Sequence, residues 1–216
     1  MRNLRRAARI SDKALLDEAM RLPHAEQGQR IGLFGGSFNP PHEGHVHVSE
    51  TALIRGELDQ VWWLVTPGNP LKDHSELESL AGRLRKCISI IDHPAVTVTA
   101  FEARYRLNYT EQTLARLKAI RPGLDFVWIM GADNLKNFHR WQNWMNIAGM
   151  MPLMIVDRPG STLSYVSSQA AIALSRWRID ETDAALLADM KPPAWTFIHA
   201  PRSHLSSTAI RNARKR

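Results

Sequence analysis

In the stretch GGSFNPPHEGH, residues 35–45, glycines, prolines and histidines crowd together. Gly35 and Gly36 carry no Cβ, so the backbone there can turn sharply and approach a ligand closely. Pro40 and Pro41 forbid helix up to that point, which puts a helix start at Glu43 or Gly44 and leaves unpaired backbone N–H groups facing an anion. His42 and His45, spaced i and i+3, share one face of its first turn. Two imidazoles beside a polyphosphate can donate hydrogen bonds to oxygens that gain charge in a transition state. A metal pair is the competing chemistry, but the third ligand and the glutamate of an H-E-x-x-H site are missing, and His47 reads as a surface residue.

Other segments offer matching chemistry. In TPGNPLKD, residues 66–73, Pro67, Gly68 and Pro70 make a rigid turn that presents Asn69 and Lys72, a neutral donor and a point charge for phosphate; a solvated turn is the plainer alternative. In RLNYTEQTLARL, residues 106–117, Asn108 and Thr110 stand at a helix entry with Thr110 as the natural N-cap. In MGADN, Gly131 ends an apolar run, and Asp133 with Asn134 can open a helix while presenting a carboxylate to ribose hydroxyls; capping alone also explains the aspartate. In HLSSTAIRNARKR, Ser206, Ser207 and Thr208 suit a helix N-terminus that holds phosphate oxygens, with Arg211 one turn later on the same side; a capped helix with a basic tail is the alternative.

Short apolar runs must position these groups. They occupy residues 30–34, 60–67, 95–100, 125–131, 152–157 and 195–200, are rich in β-branched or aromatic residues, and are bounded by Gly, Pro or Asp, as buried strands are. Helical periodicity fills the gaps at 45–55, 77–91, 110–120, 141–149 and 167–178. The alternation predicts an α/β fold, Rossmann-like and doubly wound, with a mostly parallel sheet covered by helices on both faces. Ligands of such sheets bind beyond the carboxyl ends of the strands, which is where the segments above fall. DKALLDEAMRL reads as a short helix followed by a linker, so residues 1–28 are expected to be an extension and 29–216 a single domain.

Composition narrows the class. With 216 residues, 44% hydrophobic and 23% charged, the chain is an ordinary globular one without a run long enough to span a membrane. Cys87 is the single cysteine, which rules out an internal disulfide and a cysteine-based zinc site and makes a reducing cytoplasm the default. MRNLRRAAR is basic but lacks a following apolar signal region. The net charge of +7 gathers at the ends, in Arg2, Arg5, Arg6, Arg9, Arg211, Arg214, Lys215 and Arg216. Solvated tails account for most of it, and the remainder suits a phosphorylated ligand. A nucleic-acid-binding module reading through Trp62 and Trp63 is the alternative of another class.

The motif is neither G-x-G-x-x-G nor G-x-x-x-x-G-K-[ST]. GGSFNPPHEGH resembles instead the nucleotidyltransferase superfamily with its [HT]-x-G-H motif, in the form found in bacterial nicotinate-nucleotide adenylyltransferases. NPLK, YTEQTL, MGAD and LSSTAIR follow in that family's order, with Leu205 where isoleucine is usual, so the resemblance covers nearly all of the chain except its N-terminal extension.

The resemblance implies adenylyl transfer from ATP to nicotinate mononucleotide, with Mg²⁺ arriving on the ATP and no protein metal ligand. It implies catalytic roles for His42, His45 and Arg211. Gly35, Gly36, Ser37, His42, His45, Gly131, Asp133, Ser207, Thr208 and Arg211 would hold ATP, and Ser37, Phe38, Asn39, Asn69, Lys72, Thr110 and Trp141 the mononucleotide. Trp141 is expected to stack on the pyridine ring, with core packing as the competing reading. Related enzymes that use nicotinamide mononucleotide or phosphopantetheine stay open as alternatives, as does the oligomeric state, and no nucleic-acid or membrane partner is expected.

Overall fold

The computed structural model describes residues 10–68, 77–157, 165 and 167–200. Strands β1 (Arg30–Gly36), β2 (Gln60–Val65), β3 (Val96–Thr99), β4 (Asp125–Gly131), β5 (Leu153–Val156), β6 (Arg178–Ile179) and β7 (Trp195–Ile198) form one sheet in the order β3-β2-β1-β4-β5-β7-β6. Every adjacent pair is parallel. The expected runs all appear as strands; β6 was not expected, because two residues are too short to carry a periodic pattern.

Both faces of the sheet are buried, as parallel sheets require. Alternate residues point to opposite sides: Leu33, Trp62, Leu64 and Trp128 join one cluster, and Phe34, Val61, Trp63 and Ile129 the other. Leu114 and Leu117 from the helix Thr110–Ile120 cover the first face, and Val48 and Ala52 from Glu43–Arg55 with Leu84 and Cys87 from Leu80–Ile90 cover the second. Trp62 and Trp63 are 0% exposed. They cannot serve as a stacking platform for bases, so the nucleic-acid reading loses the aromatic surface it relied on.

β1 is an interior strand, flanked by β2 on one side and β4 on the other. The chain winds outward from β1 through β2 and β3, then returns to lay β4 on the opposite side, so the order reverses between β1 and β4. Crevices at such reversals are where open α/β sheets bind ligands.

The expected boundary near residue 29 is not matched by a break in packing among the described residues. The helix Asp12–Ala19, capped by Ser11, buries Leu15 and Ala19 in the second cluster. The Thr99 hydroxyl donates to the Ala19 carbonyl at 2.8 Å, and Ala100 N–H donates to it at 2.7 Å. Arg85 Nη2 reaches Asp12 Oδ1 at 2.7 Å. The sequence pattern shows an amphipathic helix here but not the face it covers. Leu15 is 3% exposed, so Leu15→Ala is expected to cost about 2–5 kcal/mol in urea unfolding. An unchanged midpoint would mean that this helix is dispensable to the domain.

Candidate active site

The segment after β1 departs from a simple glycine turn. Gly35 and Gly36 still belong to β1, paired with Leu64 and Val65 of β2, and neither has a positive φ. A Cβ on Gly35 would lie 2.4 Å from Cη2 of buried Trp128, so this glycine is required by the close approach of a ring from β4. The left-handed residue is Phe38, with φ of 46°. Its ring is buried, stacked on Trp63 at 4.6 Å and 7° and lying 4.9 Å from the His45 ring. Expected as a mononucleotide contact, Phe38 instead has its side chain committed to the core, where such a stack contributes about 0.5–1.5 kcal/mol. Ser37 and Asn39 on either side are half-buried.

The helix begins at Glu43, as the prolines require, with His42 as its N-cap. Gly44 N–H donates to His42 Nδ1 at 3.1 Å, and His42 N–H donates to His45 Nδ1 at 3.2 Å. Two of the helix's orphan N–H groups are thus satisfied by imidazoles, in the manner of a capping box. A ring nitrogen that accepts cannot carry the proton, so each neutral ring carries it on Nε2 and is a donor there. The rings lie 3.9 Å apart between centroids and are buried, which fits the i, i+3 spacing. Below them, Trp63 Nε1–H donates to Ser49 Oγ at 2.6 Å and Ser49 donates to the His45 carbonyl at 3.0 Å, tying the first turn to β2. His47, expected at the surface, is half-buried.

Gly131 ends β4 beside β1, and Asp133 lies exposed in the first turn of the short helix Ala132–Asn137. His42, His45, Ser37 and Asn39 follow β1, and Gly131 and Asp133 follow β4, so the structure brings these residues to the two sides of the sheet's reversal. Trp141 is half-buried at the rim of the first cluster, edge-on to Trp128 at 6.3 Å and to Phe138 at 5.4 Å. Its packing is therefore established. Thr110 is not the N-cap: Tyr109 holds that position without a side-chain bond, and Thr110 is the first helical residue. Asn69, Lys72, Ser206, Ser207, Thr208 and Arg211 lie outside the described residues.

Two buried charged groups near these loops escaped the sequence reading. Arg83 sits on the buried face of the helix Leu80–Ile90, one turn before Cys87. An arginine interrupting an apolar stripe was the available signal. Glu102 is buried and accepts from the Thr113 hydroxyl at 2.9 Å; its only sequence signal was its place beside Phe101 after a strand. Burial pushes the Glu102 carboxyl above its ordinary 4.5, against the opposing hydrogen bonds of Thr113 and Thr66. The native state therefore holds this proton more tightly than the unfolded chain does. The stability this contributes is full below pH 4.5 and is lost as pH rises through the elevated native value. Glu102→Gln keeps an acceptor for Thr113 and removes the titration, so its melting temperature should gain on the wild type's as pH rises from about 4 to about 8. Parallel melting curves across that range would show that Glu102 is not the group responsible.

The cytidylyltransferase-like family matches residues 33–213, which include all of these loops. The chain is 59% identical over 194 residues to a Mesorhizobium japonicum protein named probable nicotinate-nucleotide adenylyltransferase, covering 90% of this chain and 100% of that one. A protein of the same name from Agrobacterium fabrum is 60% identical over 185 residues, covering 86% of this chain and 99% of its own. Among solved structures, the Plasmodium falciparum nicotinic acid mononucleotide adenylyltransferase complexed with NaAD shares the fold with a TM-score of 0.64 at 18% identity, covering 85% of this chain and 83% of that one. A sheet reversal flanked by paired histidines on one side and a G-A-D turn on the other, with relatives this close along nearly their whole length, places the chain in the cytidylyltransferase-like family, among the nicotinate-nucleotide adenylyltransferases.

Proposed function

We propose that this protein transfers the adenylyl group of ATP to nicotinate mononucleotide, giving nicotinate adenine dinucleotide and pyrophosphate, a step of NAD biosynthesis. The observation that carries the reading is the pair of imidazoles at the carboxyl end of β1, pinned to the helix start through Nδ1, which leaves Nε2 as the nitrogen that carries the proton.

The reaction is an in-line displacement. An oxygen of the mononucleotide phosphate attacks the α-phosphorus of ATP, the bond to the bridging oxygen breaks, and pyrophosphate leaves with the electron pair. A phosphate monoester has its second pKa near 6, so it is already ionised at neutral pH and needs no general base. What remains for the protein is positioning and charge stabilisation; orientation alone can supply about 7–11 kcal/mol of such a barrier.

His42 and His45 donate to the α-phosphate and bridging oxygens, where negative charge grows. Gly35, Gly36 and Ser37 line the approach of the phosphates, Gly131 and Asp133 face the adenosine, and Ser207, Thr208 and Arg211 hold the β- and γ-phosphates. The mononucleotide lies against Ser37, the Phe38 backbone and Asn39, with Asn69 and Lys72 on its phosphate and Thr110 and Trp141 at the nicotinate ring. Among the described residues no group of three or more His, Cys, Asp or Glu could hold a metal. The N–H donors of these loops suit phosphate oxygens rather than a cation, so Mg²⁺ would be held mainly by the nucleotide's phosphates and water, where it would neutralise phosphate charge. The buried, unpaired Cys87 suits a reducing cytoplasm as the place of action.

His45→Ala is expected to lower kcat by at least about 10²-fold, the scale of one electrostatic donor. His45→Asn keeps an acceptor for the His42 N–H but lacks the Nε2 donor, and should fall equally far. Near-normal turnover in either folded variant sinks the assignment. Pyrophosphate release measured with nicotinate mononucleotide, its amide and phosphopantetheine in turn checks the acceptor; a preference for either of the last two overturns the substrate assigned here.

A further inference from the structure

The adenylyl-transfer chemistry assigns nothing to the helix Leu80–Ile90, yet it carries one of the largest fully buried side chains in the protein. Arg83 is 1% exposed. Burying a guanidinium is costly unless its N–H groups are answered, and here backbone carbonyls answer four of the five. Nη1 donates to the Ser37 carbonyl at 2.8 Å and to the Thr66 carbonyl at 2.7 Å, Nη2 donates to the Pro67 carbonyl at 3.1 Å, and Nε donates to the Glu78 carbonyl at 2.9 Å. The Glu78 carboxylate is engaged elsewhere, by Lys86 Nζ at 2.5 Å.

The acceptors come from three stretches far apart in sequence. Ser37 belongs to the loop after β1 that leads to His42, Thr66 and Pro67 to the loop after β2, and Glu78 to the approach of the helix itself. Glu78 N–H also donates to Asn39 Oδ1 at 3.3 Å, adding a second tie between the first and third stretches. A planar fork with fixed donor directions sets both the distance and the angle between the strands of chain it joins, which a flexible ammonium cannot do. A buried ion pair would have neutralised the charge without fixing any backbone. The choice of carbonyl acceptors makes the arginine a geometric device.

We infer that Arg83 is a positioning residue for adenylyl transfer: its guanidinium clasps the loop after β1 to the loop after β2, and so sets where the acceptor mononucleotide stands relative to His42 and His45. The inference rests on the proposed adenylyl-transfer reading. Arg83 is buried with its guanidinium on main-chain carbonyls, so it acts through Ser37, Thr66 and Pro67. Misplacement of a reacting group by about 1 Å can cost on the order of 10²-fold in rate, so a loosened clasp is visible in kinetics.

The test compares wild type with Arg83→Lys and Arg83→Met, each confirmed folded by circular dichroism, varying ATP and nicotinate mononucleotide separately. The expected result is a kcat lower by about 10-fold or more and a KM for the mononucleotide raised severalfold, while the KM for ATP stays within about twofold. Arg83→Lys should keep more activity than Arg83→Met, because an ammonium retains some donors. A purely structural role lowers the folded fraction, and with it kcat, but moves neither KM. Folded variants with both KM values unchanged therefore overturn the inference, whatever their melting temperatures. If Arg83→Met does not fold, Arg83→Lys decides by the same criterion. A wild type that forms no pyrophosphate with this substrate pair fails the functional reading before any variant is compared, and takes the inference with it.

Discussion

A parallel sheet runs out at its carboxyl edge, where the carbonyls and N–H groups just beyond the last paired residues lose their strand partners and must still be satisfied. The site is organised by how that requirement is met. Beyond β1 and β2, Thr66 N–H donates to the Gly36 carbonyl at 3.1 Å, extending the ladder by one bond. After that the carbonyls of Ser37, Thr66 and Pro67 converge on Arg83, and the N–H groups of His42 and Gly44 turn to imidazole nitrogens. Side chains thus replace missing strands, and each replacement fixes a loop that a ligand would meet.

Packing beneath the edge holds those replacements in place. Phe38 closes over Trp63, Trp63 bonds Ser49, and Ser49 bonds the His45 carbonyl, so the histidine turn rests on β2 through a continuous chain of contacts. On the opposite face Trp128 of β4 fills the space left by the absent Gly35 side chain. β1 is therefore packed against both neighbours at the level where the site begins, on either side of the sheet's reversal.

Much of this was legible in the sequence because it follows from periodicity and from restricted backbones. The apolar runs marked the strands, the two prolines limited the helix start to Glu43 or Gly44, of which Glu43 is the one found, and the i, i+3 spacing put the histidine rings together. What stayed hidden depended on partners distant in the chain. The need for glycine at position 35 comes from a tryptophan on β4, which no local reading can supply. Thr110 had the chemistry of a cap, yet the chain enters that helix one residue earlier, at Tyr109. Residues 1–28 read as an extension of short helix and linker because the partners of that helix, Thr99 and Arg85, lie 80 and 73 positions away from the residues they bond. Arg83 broke an apolar stripe, which marks an oddity but does not name its acceptors.

Histidine is also the residue type that this edge demands. Lysine and arginine are stronger cations, but they carry donors only, so neither could accept the N–H of Gly44 or His42 and be pinned to the helix start by it. Asparagine could accept that bond, but its amide ends too early to donate beyond it. An imidazole does both at once, accepting through Nδ1 on the protein side and presenting a donor at Nε2. The cap also orients the ring before any ligand arrives, so little rotamer freedom remains to be lost during the reaction. A donor fixed in this way can favour the charge distribution of the transition state over that of the bound substrate, and only that difference accelerates chemistry.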